Sequence, residues 1–163
     1  MLFTRKRQKP GLEWGVRDSL TAYVDGLPDG VIAVDGIADI VPKTHPPRFW
    51  FPLIEMSGDE VRFAGTAQIT GHGGLLRVTV RDPRLHFDQS RVVLSVASDL
   101  RDERLFVAVV ERGQLDPHGW HDEAAHLTAD GAAWLGPNYS AGDAVSPITY
   151  RPTSPSALTP KGV

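Results

Sequence analysis

From Val31 onwards apolar and polar residues alternate along the chain, and glycine, proline or aspartate stops the alternation every few residues. Side chains that point alternately to two sides belong to strands with one buried face. Val31 to Ile37, Arg48 to Met56, Glu60 to Ile69 and Leu76 to Arg81 read this way, followed by runs around Leu85 and Phe87, Val92 to Val96 and Leu105 to Val109. In Glu60 to Ile69, the residues Val61, Phe63, Gly65, Ala67 and Ile69 share one face, against Arg62, Thr66 and Gln68. In the strand from Leu76, the residues Leu76, Val78 and Val80 oppose Arg77, Thr79 and Arg81. Parallel strands would need crossover helices that this sequence lacks. The pattern predicts a mainly β chain, an antiparallel β-sandwich or partly closed barrel, with Pro147 to Tyr150 closing the sheet as an edge strand.

Two segments carry a helical signal. Leu12, Val16, Leu20, Tyr23, Val24 and Leu27 recur at intervals of three and four, which predicts an amphipathic N-terminal helix of about three to four turns. It should end near Gly26, before the turn Pro28-Asp29-Gly30, with Tyr23 on its buried side. Thr128 is the N-cap of a short C-terminal helix reaching Leu135, although Gly131 weakens it. Each helix is expected to cover a sheet. Residues 1–10 read as a basic flexible arm containing Arg5, Lys6, Arg7 and Lys9, residues 11–152 as one domain, and residues 153–163 as a flexible tail. A chain of 163 residues can bury one core without staples.

Composition removes several function classes. Lys and Arg total 17 against 20 Asp and Glu, so no polyanion-binding surface spreads over the domain and nucleic acid is not expected as a partner. The absence of cysteine excludes disulfides, thiolate metal sites and a cysteine nucleophile. No apolar run approaches the ~18 to 20 residues of a membrane span, and no signal-peptide core follows Met1-Leu2-Phe3, so a cytoplasmic protein is expected.

Among motifs, Gly71 to Gly74 lacks the lysine of a phosphate-binding loop, and the chain has no Gly-x-Ser-x-Gly elbow. His118 and His121 with Asp116 and Asp122 have the composition of a metal cluster, but Gly113 to Asp122 reads as an exposed loop whose polar residues face solvent. Tyr23 and His72 stand out. A tyrosine on a buried helix face needs a partner for its hydroxyl, and a histidine inside Gly-His-Gly-Gly sits where backbone can approach a flat ligand. Taken alone, Tyr23 reads more often as an ordinary half-buried aromatic and His72 as a polar turn residue.

The surrounding residues add a resemblance. Leu12-Glu13-Trp14-Gly15-Val16-Arg17-Asp18-Ser19-Leu20-Thr21-Ala22-Tyr23-Val24 resembles the opening of the HtaA domain of Gram-positive haem-uptake proteins. Val61 to Leu75 resembles that family's strand into a Gly-His-x-Gly turn, and Leu127 to Gly131 and Tyr139 to Pro147 resemble its closing segments. The resemblance implies a haem-binding protein for ferric protoporphyrin IX, with Tyr23 as the iron ligand and His72 as the hydrogen-bonding partner of its phenolate. Ser19, Leu20, Gly71, Gly73 and Tyr139 are then candidates for the pocket lining. Leu20 departs from the phenylalanine common in the family. Without a leader, haem buffering, trafficking or sensing inside the cell is implied, with another haem-handling protein as a candidate partner. Two alternatives stay open: a haem-degrading or other small β enzyme with His72 as general base, and a ligand-free interaction module using the basic arm or the Phe49-Trp50-Phe51 strand.

Overall fold

A computed structural model describes residues 9–88, 90–100, 102–111 and 118–152. The strands that the alternation predicts are present, although the first stops at Val34, where Asp35 turns the chain, and the turn formers join most of them as hairpins. In chain order the elements are β1 (Gly11–Trp14), α1 (Asp18–Asp25), β2 (Val31–Val34), β3 (Asp39–Ile40), β4 (Phe49–Ser57), β5 (Glu60–Phe63) and β6 (Thr66–Gly71). After a single 3-10 turn over His72–Gly74 come β7 (Leu76–Arg81), β8 (Arg84–Phe87), β9 (Val92–Ala97), β10 (Arg104–Val110), β11 (Trp120–Leu127), α2 (Ala129–Leu135) and β12 (Ala144–Arg151). All pairings are antiparallel. The main sheet runs β1-β12-β11-β10-β9-β8-β5-β4, and β1 also pairs with β4, which closes these strands into a barrel with β3 attached to β4. A second sheet has the order β2-β6-β7. Closure leaves the barrel strands without unpaired edges.

The expected N-terminal helix is shorter than its periodicity suggests. Leu12 and Trp14 are fully buried as alternate residues of β1, and the chain turns at Val16, whose φ is +68°, before α1 begins. Glu60 to Ile69 is likewise two strands, although its apolar face is buried throughout. Gly65, at φ +116°, moves the chain from barrel to second sheet, and a Cβ there would lie 2.5 Å from the Ala38 amide nitrogen. Between Phe106 and Ala108 a bulge shifts the register of β10, so Val110 is buried and Val109 only partly so.

Two expectations at the C-terminal end need correction. The stretch expected to be loop up to Asp122 already contains the start of β11, where Trp120 is buried, while residues 112–117 lie outside the described residues. The expected closing edge strand is longer and interior, because β12 is paired on both sides, with β1 and β11. Thr128 does cap α2, accepting from the Gly131 amide at 2.9 Å. The two helices cover different sheets: α1 packs on β2 and β6, and α2 packs on β10 and β11.

Candidate functional site

The N-terminus of α1 is pinned to the barrel before any site residue appears. The Ser146 hydroxyl of β12 donates to Asp18 Oδ1 at 2.6 Å, and Arg17 donates to the Ala144 carbonyl and to Ser19 Oγ. Leu20, Thr21 and Val24 form the buried face of α1. Tyr23 lies beside that face and is 50% exposed, which corrects the expectation of a buried side chain.

His72 comes from the 3-10 turn between β6 and β7. Its φ is +52°, and Gly73 and Gly74 follow at +66° and +93°, so three successive residues take left-handed backbone. Glycine adopts this freely; histidine does so only where surrounding contacts hold it. Gly71, just before the turn, packs so closely on Leu27 that a Cβ would stand 2.8 Å from Leu27 Cδ1. That approach brings the turn onto the end of α1. Tyr23 Oη and His72 Nε2 lie 2.7 Å apart, with ring centroids separated by 5.6 Å and planes tilted by 48°.

The pair opens into a cleft of about 600 Å³. Ser19 and Leu20 of α1 form one wall, Leu75, Leu76 and Arg77 a second, and the segment from Trp134 to Tyr139 a third. Trp134 stacks on the buried Trp14 at a centroid distance of 6.2 Å, and the Trp14 indole donates to the Ser146 carbonyl. Tyr139 lies under the Arg17 guanidinium, 5.3 Å from ring centroid to Cζ. Hence the same arginine that holds Ser19 also steadies the opposite wall.

Of the five candidate lining residues, Ser19, Leu20 and Tyr139 face the cleft. Gly71 and Gly73 are not on its wall: one packs on Leu27, and the amide of the other points to Asp29, donating to Oδ2 at 2.8 Å. Sequence reasoning missed Arg77, Trp134 and Asn138, all on the wall. Arg77 had a signal, since the alternation of β7 puts it opposite the buried Val78. Trp134 had one too, as an aromatic at the end of a capped helix.

The rival chemistries fare differently. His86 Nε2 lies 2.7 Å from Ser95 Oγ, but Ser95 is fully buried and its hydroxyl also accepts from Arg104 at 2.9 Å, so it is no exposed nucleophile. Burial pushes the His86 pKa down and that of Arg104 to about 10. Asp122 is committed to Arg48 at 2.6 Å, which holds its carboxyl below the usual range, and His121 is largely exposed beside it. No metal-ligand cluster occurs among the described residues, and Asp116 lies outside them. Phe49 and Phe51, offered by the interaction-module reading, are fully buried.

A family model described as Htaa matches residues 9–151. The fold is similar to that of heme binding protein HtaB from Corynebacterium glutamicum, with 21% identity, 88% of this chain and 92% of that chain covered, and a TM-score of 0.72. It is also similar to the N-terminal domain of HtaA from the same organism, with 21% identity, coverage of 90% and 99%, and a TM-score of 0.66. The C-terminal domain of that HtaA gives 19% identity, coverage of 88% and 95%, and a TM-score of 0.65. No curated protein matches the chain.

Proposed function

Because the chain belongs to the HtaA family, we propose that its cleft binds haem as ferric protoporphyrin IX, with Tyr23 as the iron ligand and His72 as the partner of the phenolate oxygen. The observation that carries this reading is the 2.7 Å contact between Tyr23 and His72, made by two different elements at the mouth of one cleft. Bound haem would supply a ferric centre, for which a phenolate is a hard, anionic donor. An imidazole N–H donated to the same oxygen would hold its orientation and temper its basicity.

The residues present fit such a group. A volume of about 600 Å³ is in the usual range for small-molecule sites. Leu20, Leu75, Leu76, Trp134 and Leu135 would face the apolar macrocycle, while Arg77 would meet a carboxylate at its edge. The role proposed for the site is the buffering, trafficking or sensing of haem.

The test is a titration of apo-protein with ferric haem. A saturable one-to-one Soret shift with a high-spin tyrosinate spectrum is expected; non-specific partitioning alone would remove the central claim. Adding a reductant and oxygen separates holding from degradation, since defined cleavage products and repeated turnover would favour the enzyme reading.

A further inference from the structure

The turn that presents His72 takes left-handed backbone at three successive residues, and it is tied by one side chain to the segment that follows the tyrosine helix. Asp29 lies in the Pro28-Asp29-Gly30 turn that follows α1, a few residues beyond Tyr23. Its Oδ2 accepts from the amide of Gly73, the residue after His72, at 2.8 Å. That bond is the main reason the Asp29 pKa lies below its ordinary value, and the nearby His72 amide acts in the same direction. An exposed carboxylate thus accepts from an amide inside a left-handed turn, the kind of turn whose amides bind anions. The carboxylate itself rides on a fixed carrier, for the Gly30 amide donates to Leu27 at 3.2 Å and a Cβ on Gly30 would run into the Val24 carbonyl.

We infer that Asp29 is the positioning residue of the Tyr23–His72 pair, tying the histidine turn to the end of the tyrosine helix and so setting the separation of Oη and Nε2. This rests on the haem-site reading above. Without the acceptor, the Gly73 amide turns to water, and the positive φ of His72 loses one of the contacts that hold it. The turn then relaxes and the imidazole leaves the phenol. Asp29 acts only through His72, since nothing places it on the cleft wall.

The experiment compares Asp29→Ala and Asp29→Asn, in the wild-type and His72→Ala backgrounds, in apo and haem-loaded protein. Both variants should fold, because Asp29 is exposed; the melting temperature checks this. In the apo-protein, Asp29→Ala should accelerate hydrogen exchange of the Gly73 amide at least about 10-fold and replace a single His72 ring tautomer, read by nitrogen NMR, with a mixture. With ferric haem, the same variant should lose about 10-fold in affinity and move the charge-transfer band in the direction that His72→Ala moves it. Asp29→Asn, which keeps an acceptor oxygen, should retain most of the protection and affinity. In the His72→Ala background, Asp29→Ala should change affinity no further. An undiminished loss in that background, or unchanged Gly73 exchange and His72 tautomer in the apo-protein, overturns the inference. Failure of the wild type to bind haem would sink the haem reading instead, while the apo measurements still decide the role of Asp29.

Discussion

Tyr23 is half exposed, so replacing it with phenylalanine removes a hydroxyl on which no core packing depends. Tyr23→Phe should leave stability within roughly 0.5 kcal/mol of the wild type and abolish the tyrosinate spectrum, as absorbance and thermal melts will show. His72→Ala keeps the iron-bonding atom and should weaken haem binding by something like 10 to 100-fold while altering the charge-transfer band. If His72→Ala removes the haem spectrum and Tyr23→Phe does not, the two roles are reversed. His86 gives a separate, pH-dependent prediction away from the cleft. Burial lowers its folded pKa beneath the ordinary 6.5, so below that pH the unfolded chain binds a proton that the folded protein resists. Stability should be full above 6.5 and fall as the pH drops through that value towards the folded pKa. Denaturation midpoints measured across this window should show the slope in the wild type and a flatter curve in His86→Gln.

At the scale of elements, α2 joins the cleft to the barrel, and one glycine sets how closely it seats. A Cβ on Gly131 would run into the Val107 carbonyl of β10, so Gly131→Ala should lift α2 and destabilise the protein by about 1–3 kcal/mol. Because Trp134 and Leu135 belong to the same helix and line the cleft, haem affinity should fall with it, and a chemical melt paired with a haem titration checks both. This helix was legible in the sequence because its signals are local: Thr128 caps it, and the glycine that weakens its propensity is the residue that lets it seat. β1 was not legible for the opposite reason. The spacing of Leu12, Val16 and Leu20 fits a helix, and the alternation of Leu12 and Trp14 fits a strand equally well. Pairing with β4 and β12, far along the chain, decides between them. The β10 bulge is equally invisible, since one extra residue changes which valine is buried without changing composition.

For the whole molecule, the alternation predicted antiparallel sheets, but whether they close depends on β1 bridging β12 and β4, a matter of long-range register that no local pattern encodes. The site shows the same division. Tyr23 and His72 were singled out from residue chemistry and joined only through the family resemblance, while Asp29 carried no signal beyond being a turn former. The assembled cleft takes its walls from α1, from the turn leading into β7 on the second sheet, and from the end of α2 on the barrel. A ligand that touches all three binds the folded state and has no equivalent site on the unfolded chain. It should therefore stabilise the whole protein by mass action, by about 2.7 kcal/mol at a free concentration 100 times Kd. For a domain of this size that corresponds to a rise in Tm of roughly 5–10 °C. Scanning calorimetry with ferric haem should show one transition moving upward with haem concentration in the wild type and staying in place in Tyr23→Phe. A Tm that ignores haem at concentrations saturating the Soret shift would mean that haem binds away from this cleft.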